Sequence, residues 1–161
     1  MINFLMKGAQ QYITSNRLLR LHIPYNDFTA FMALQGSLNA VEYLIQRGYP
    51  CTNKTTLCAA YNGSVDLLKY LQESVKCQWS KYTCDMAAKS KNLAALQYVR
   101  SIGCPWTEHT CAEAATNSLA CLKYAHENGA TWYSGTTCSN AAQFNQLDCL
   151  IYAHDRGGKC Y

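Results

Sequence analysis

Tyrosines recur along the sequence at nearly constant intervals. Tyr43, Tyr70, Tyr98, Tyr124 and Tyr152 are separated by 27, 28, 26 and 28 residues. An internal period of this length is typical of chains built from stacked supersecondary units, each of which buries its apolar side against its neighbours. The period therefore favours a repeat architecture and divides the chain into five similar units.

Each of these tyrosines belongs to a segment whose apolar residues are spaced three apart. Such spacing places the apolar side chains on one face of a helix, so every unit is predicted to contain an amphipathic second helix. The five stripes are Leu38/Val41/Leu44, Val65/Leu68/Leu71, Leu93/Leu96/Val99, Leu119/Leu122/Ala125 and Leu147/Leu150/Ala153.

A shorter first helix is predicted upstream of each stripe. Four units have an alanine pair there, at Ala59-Ala60, Ala87-Ala88, Ala114-Ala115 and Ala141-Ala142, and the first unit has Met32-Ala33. Small side chains allow two helices to pack closely. Thr83-Cys84, Thr110-Cys111 and Thr137-Cys138 precede the last three pairs, so threonine is predicted to start the helix and cysteine to be buried.

Turn-forming residues separate the predicted helices. Gly48, Gly103, Gly129 and Gly157 follow four of the second helices, where a residue in the left-handed conformation commonly ends a helix.

The recurring aromatic residues are predicted to be structural. The tyrosines are predicted to stack between units. The tryptophans of the following turns are predicted to anchor those turns to helices, namely Trp79, Trp106 and Trp132.

These signals together predict an all-α chain of about five helix-turn-helix repeats, with units at roughly 28–52, 53–80, 81–107, 108–133 and 134–161. Residues 1–27 fit the period poorly and are predicted to form a divergent N-terminal repeat or cap. No polar capping helix follows the last unit, although a solenoid usually needs one for solubility. The uncapped C-terminal repeat is therefore either a surface for self-association or a cut through a longer array.

The segment from Ala59 to Leu71, Ala-Ala-Tyr-Asn-Gly-Ser-Val-Asp-Leu-Leu-Lys-Tyr-Leu, closely resembles the core of an ankyrin repeat. The resemblance extends over about residues 28–159. The chain departs from the family in having units shorter than the usual 33 residues and Thr-Cys in place of Thr-Pro-Leu-His. Its Gly-Cys-Pro-Trp turn at 103–106 is similar to the shortened ankyrin repeats of large DNA viruses of amoebae.

This resemblance implies an ankyrin-like solenoid that acts as a protein–protein interaction module, a scaffold or adaptor, without catalytic activity or a cofactor. It also suggests a viral protein in the host cytoplasm. The partner would contact turn tips and first-helix surfaces, where equivalent positions vary between units. These candidates are Thr52, Asn53, Tyr61, Ser80, Lys81, Lys89, Lys91, Thr107, Glu108, Thr116, Tyr133, Ser134 and Gln143.

Charge favours no other class of partner strongly. The formal net charge is +4, without the concentrated Lys/Arg tract of a nucleic-acid arm, so nucleic acid is an unlikely partner. No apolar stretch approaches the length of a membrane span, and a cytoplasmic location is expected. One alternative remains, because the third unit has a basic cluster opposed only by Asp85. Lys76, Lys81, Lys89, Lys91 and Arg100 form either a solvated face or a site that binds an acidic partner or a nucleic acid.

Ten cysteines are present, yet no secretory signal precedes them, so all ten are predicted to be free thiols. Three pairs are seven residues apart, a spacing unlike the two to four residues typical of zinc ribbons. Two further sets recur in the last units, Cys121 with His126 and Cys149 with His154. Because repeated residues are explained by the repeat itself, neither a metal site nor a cysteine nucleophile is expected.

Overall fold

The computed structural model describes residues 27–133 and 135–160, and all regular secondary structure in this part of the chain is helical, without a strand. Ten helices follow one another in five pairs. The first members are α1 (Phe28–Leu34), α3 (Asn53–Asn62), α5 (Thr83–Lys89), α7 (Thr110–Ala114) and α9 (Thr136–Gln143). The second members are α2 (Leu38–Gln46), α4 (Val65–Tyr70), α6 (Leu93–Ser101), α8 (Leu119–Glu127) and α10 (Leu147–Asp155).

The helices lie in two rows. Each first helix contacts the first helix of the next pair, from α1 to α9, and the second helices contact one another in the same way from α4 to α10. Within every pair the two helices also pack together. The predicted helix pairs are therefore confirmed, and the proposed cap at 1–27 lies outside the described residues except for Asp27.

The core consists of alanines from the pairs in the first helices and of the central residues of the apolar stripes on the second helices. Ala60, Ala88 and Ala115 are fully buried between the first helices, and Leu68, Leu96 and Leu122 are fully buried beneath the second helices. Leu147, at the head of the last stripe, is 64% exposed. The predicted burial of that stripe is therefore wrong at this position, because no further described helix covers it.

The glycines that end four second helices adopt the predicted left-handed conformation, with φ between 84° and 93° at Gly48, Gly103, Gly129 and Gly157. The remaining pair has one extra residue here, since its tyrosine stands seven residues before Cys77, whereas Tyr98 stands six before Cys104. A π turn at Leu71–Val75 accommodates the extra residue, and Lys76 takes the left-handed position with φ 55°. An inserted residue is a usual origin of such π bulges.

Thr83 and Thr110 start their first helices as predicted, although neither caps its helix with its side chain. Thr83 is the first residue of α5 and its hydroxyl donates to the carbonyl of Ser80 at 2.7 Å, while no side chain caps this helix. Side-chain caps occur instead on Thr52 before α3 and on Ser64, Asn92 and Ser118 before the second helices. The hydroxyl of Thr83 therefore fastens the turn to the helix rather than accepting from free N–H groups.

Neighbouring pairs are joined by hydrogen bonds that recur at equivalent positions. Thr56, Cys84 and Cys111 occupy the same place in three first helices, and each donates to a carbonyl in the next turn, those of Gln78, Cys104 and Ala130 respectively. A buried hydroxyl or thiol needs an acceptor, and a carbonyl in a turn has no N–H donor from a helix. These bonds fix where each turn lies relative to the helix pair before it.

Aromatic side chains fasten the same turns, as predicted for two of the three tryptophans. The indole N–H of Trp106 donates to the carbonyl of Asn128 at 2.8 Å, and that of Trp132 to the carbonyl of Arg156 at 3.2 Å. Both acceptors are C-cap residues of the following second helix. Trp79 bonds instead to the side chain of Gln72 in the π turn.

Candidate protein-binding surface

The turns between pairs form one edge of the molecule, and most predicted contact residues lie along it or on the first helices behind it. Asn53, Lys81, Lys91, Glu108 and Gln143 are exposed. Six more are half-buried, namely Thr52, Tyr61, Ser80, Lys89, Thr107 and Tyr133. Ser134 lies outside the described residues.

The predicted position of Thr116 is wrong. Its side chain is only 4% exposed, and its hydroxyl donates to the carbonyl of Glu113 at 2.7 Å. A threonine that bonds back to the preceding helical turn satisfies its own hydroxyl locally. Thr116 therefore lies just beyond the end of α7, with its hydroxyl bonded back to that helix and its side chain out of reach of a partner.

Hydroxyls in the turns are occupied in building them. The Thr52 side chain accepts from the N–H of Lys54 and donates to the carboxylate of Asp27 at 3.0 Å. Ser80 accepts from the N–H of Tyr82 through its hydroxyl. These residues hold the tips in shape, and the exposed side chains next to them are the ones available for contact.

Beneath the turn between the third and fourth pairs, a buried carboxylate joins these two pairs. Asp85 is 2% exposed, and its oxygens accept from the hydroxyls of Thr107 and Thr110 at 2.6 to 2.9 Å. Burial raises the pKa of the Asp85 carboxyl, and the hydrogen bonds from Thr110 and Thr107 oppose that rise. Asp85 and Thr107 therefore form a structural link between α5 and the turn before α7.

The basic cluster of the third unit is smaller than the sequence predicts. Lys89 forms an ion pair with Glu113 of the next pair at 2.9 Å. Arg100 lies over the ring of Trp106 at 4.8 Å and donates to the carbonyl of Cys104 at 2.9 Å. The prediction that only Asp85 opposes this cluster is wrong, because Glu113 and two aromatic rings engage three of its five cations, Lys81 being held over the ring of Tyr82.

Two aromatic residues at the tips escaped the sequence analysis. Tyr82 is 44% exposed, with the Lys81 ammonium group 5.0 Å from its ring centroid. His109 meets Tyr133 of the next turn edge to face, with ring centroids 4.8 Å apart. Both residues follow predicted tip residues directly and stand at the same place in their units, six residues before the second alanine, which is the signal that could have identified them.

We define the tip surface as Asn53, Lys81, Tyr82, Glu108, His109 and Tyr133. Three of its exposed members, Asn53, Lys81 and Glu108, stand at equivalent positions, seven residues before the second alanine of their units. One offers an amide, one a cation and one an anion. Each lies three residues before the side chain that donates to a carbonyl of the next turn, namely Thr56, Cys84 or Cys111.

The prediction of ten free thiols is wrong. Disulfide bonds link Cys51 to Cys77 and Cys138 to Cys160, with Cα atoms 5.8 and 5.2 Å apart. The first joins two successive turns, and the second ties the segment after α10 to α9. The repeat period does not indicate these pairings. Cys51 and Cys77 belong to neighbouring units, and Cys138 and Cys160 occupy different positions of the last unit.

The six other cysteines are buried thiols. Burial raises the pKa of Cys58, Cys84 and Cys111 to about 12. Since the thiolate is the reactive and metal-binding form, these groups are poor nucleophiles and poor ligands at neutral pH. Their sulfur atoms fill core positions, and the thiols of Cys84 and Cys111 donate to backbone carbonyls.

In the two Cys/His sets of the last two units, the histidine and cysteine side chains do not form a common site. His126 stacks on Trp132 with ring centroids 4.1 Å apart and lies 3.3 Å from the Tyr152 hydroxyl, whereas Cys121 is buried. His154 lies beside Asp155 on the surface. Within residues 27–133 and 135–160, no three His, Cys, Asp or Glu side chains gather as metal ligands.

No family model, curated protein or solved structure matches the chain. Among the helices of the described part, none is long and apolar enough to cross a membrane.

Proposed function

We propose that the chain is an ankyrin-like solenoid that binds a protein partner through its tip surface. The two rows of helices and the recurring bonds between a first helix and the next turn support this arrangement. In such an array each pair is stabilised by its neighbours, so residues on the turns can vary without loss of the core.

One observation carries the proposal: equivalent exposed positions present Asn53, Lys81 and Glu108 above the same underlying bonds. Side chains of different chemistry at equivalent positions of a regular array favour recognition of a partner that matches their shape and charge. The half-buried or exposed rings of Tyr82, His109 and Tyr133 stand beside them. Rigid aromatic residues contribute disproportionately to protein–protein binding.

Comparative affinity capture from the native or host cell tests the proposal. The tip variant replaces Asn53, Lys81 and Glu108 together by alanine. A matched control replaces Lys69, Gln97 and Lys123, which are exposed at equivalent positions on the second helices. We expect proteins captured by the wild type to be lost with the tip variant and kept with the control. Loss with the control alone would place the binding surface on the second helices.

A further inference from the structure

Two turns of equal length occupy equivalent places before α5 and α7, and each carries residues of the tip surface. We call them the Lys81 turn (76–82) and the Glu108 turn (103–109). Both begin with a residue in the left-handed conformation and continue with Cys-Gln-Trp or Cys-Pro-Trp. The two turns can therefore be compared residue by residue.

Three noncovalent ties hold the Glu108 turn to the helices on both sides of it. The carbonyl of Cys104 accepts from Arg100 at 2.9 Å and from the thiol of Cys84 at 3.4 Å. The indole of Trp106 donates to the carbonyl of Asn128, the C-cap residue of α8. This turn is therefore fixed both to the pair before it and to the pair after it.

The Lys81 turn keeps one of these three ties. Thr56 donates to the carbonyl of Gln78 at 3.2 Å, which corresponds to the thiol bond of the other turn. Gln72 stands where α6 has Arg100, two residues after the tyrosine, and its side chain accepts from the indole of Trp79. The single indole hydrogen of Trp79 is thereby used toward the preceding pair and not toward α6.

The backbone that leads into the Lys81 turn is also less favourable. The π turn at Leu71–Val75 precedes it, and Lys76 takes the left-handed position that Gly103 has in the Glu108 turn. A side chain at positive φ raises the energy of this conformation, whereas glycine adopts it freely. The Lys81 turn therefore needs a further constraint if it is to be held as firmly as the Glu108 turn.

The disulfide between Cys51 and Cys77 supplies such a constraint. Cys77 is the second residue of the Lys81 turn, and Cys51 lies two residues before Asn53 in the preceding turn, with Cα atoms 5.8 Å apart. At the corresponding place in the Glu108 turn, Cys104 is a free buried thiol. The covalent link therefore occurs at the turn with fewer noncovalent ties, and it joins two neighbouring tips.

We propose that the disulfide of Cys51 and Cys77 is a redox switch for the tip surface. In the oxidised form it holds the Lys81 turn in its binding position, and reduction releases this turn while the Glu108 turn stays in place. This role rests on the proposed function of the tip surface.

The reductant is an external dithiol. Its two electrons break the S–S bond, its two protons pass to the sulfur atoms of Cys51 and Cys77, and the dithiol itself becomes a disulfide. Cys51 is half-buried and Cys77 is 8% exposed, so the attacking thiolate approaches from the side of Cys51. The products on the protein are two free thiols, and no side chain is lost.

Release of the turn changes the binding surface through Lys81 and Tyr82. These two of its six residues lie at the end of the Lys81 turn. Binding to a released turn includes the entropic cost of ordering it, which lowers the affinity. The oxidised chain is therefore the form that binds its partner more tightly.

Amide hydrogen exchange of the free protein, before and after reduction with dithiothreitol, tests the release of the turn. Each turn has three matched amides that are hydrogen-bonded: those of Cys77, Tyr82 and Thr83 at the Lys81 turn and those of Cys104, His109 and Thr110 at the Glu108 turn. We expect reduction to speed exchange of the first three by about tenfold or more and to leave the second three unchanged.

Two double variants separate this disulfide from the other one. Cys51→Ala with Cys77→Ala should show the fast exchange without reductant. Cys138→Ala with Cys160→Ala is the matched control, because it removes the second disulfide and should exchange like the oxidised wild type until reductant is added. Wild-type exchange at the Lys81 turn that reduction leaves unchanged overturns the proposal. Equal acceleration at both turns overturns it as well, since reduction would then loosen the whole array.

Titration of a captured partner against the oxidised and the reduced protein tests the consequence for binding. We expect the reduced protein to bind about tenfold more weakly, and the Cys138→Ala/Cys160→Ala control to respond in the same way. Equal affinity of the two redox forms overturns the switch even if the turn is released. Failure of the proposed function is recognised separately, because the partner would then bind the tip variant as tightly as the wild type.

Discussion

The hydroxyl of Thr110 donates to the buried carboxylate of Asp85 at 2.6 Å, across the boundary between the third and fourth helix pairs. The donor starts α7 and the acceptor lies in the first turn of α5. Without this hydroxyl the buried carboxylate keeps only Thr107 as a hydroxyl donor, and the N–H of Thr107 loses its acceptor. Thr110→Val is therefore expected to lower the free energy of unfolding by about 1–3 kcal/mol, measured by urea denaturation. An unchanged value would mean that water replaces the hydroxyl.

Asp85 also predicts a pH dependence. Burial raises its pKa above the usual 3.8, so the folded state holds this proton more tightly than the unfolded state does. The contribution of Asp85 to stability is therefore largest when the carboxyl is protonated, and it falls as pH rises from about 4 through the folded pKa. Asp85→Asn should abolish this fall. Urea denaturation of both proteins at a series of pH values compares the slopes, and parallel slopes would contradict the interpretation.

Core and surface positions on α6 should respond differently to truncation. Leu96 is fully buried and Gln97 is exposed. Leu96→Ala is expected to cost roughly 2–5 kcal/mol through loss of contacts and cavity formation, whereas Gln97→Ala should stay within about 0.5 kcal/mol. Chemical denaturation measures both. Equal shifts of the midpoint would show that the helix is rotated relative to the structure.

The left-handed lysine after the π turn is expected to be a site of strain. Lys76 has φ 55°, and four other pairs have glycine at the corresponding place. Lys76→Gly should stabilise the protein by up to about 1 kcal/mol, because glycine adopts this conformation without a steric cost. Lys69→Gly is the control inside α4 and should cost about 1 kcal/mol. Thermal unfolding that shows a loss in both variants would contradict this expectation.

Thiol counting tests the two disulfides. They use four of the ten cysteines and leave six free. Denaturation without reductant should expose six reactive thiols, and prior reduction should raise the number to ten. In the folded protein the six should react slowly, because they are buried and protonated. Ten thiols without reductant would agree with the sequence-based prediction and not with the structure.

The sequence predicts the helix pairs well because their signals are local. The stripe of Leu93, Leu96 and Val99 and the glycine at 103 each act within one unit, so periodicity is enough to place them. The link between Asp85 and Thr110 and the ion pair of Lys89 with Glu113 join different units. These contacts depend on how neighbouring pairs are rotated against each other, which spacing along the chain does not specify.

The candidate surface was predictable only in part for the same reason. Asn53, Lys81 and Glu108 were identified because exposed turn positions vary from unit to unit. Thr116 was misplaced because its position looks variable, yet the end of α7 turns it inward. The disulfides were missed because the absence of a secretory signal says nothing about which sulfur atoms come close together.

The central claim is that the tip surface holds a protein partner. The most direct measurement is the equilibrium affinity of a captured partner for the wild type, for the tip variant and for the second-helix control, by isothermal titration. We expect the tip variant to bind at least about tenfold more weakly, equivalent to about 1.4 kcal/mol, and the control to bind like the wild type. Full affinity in the tip variant together with weakened binding in the control would contradict the account.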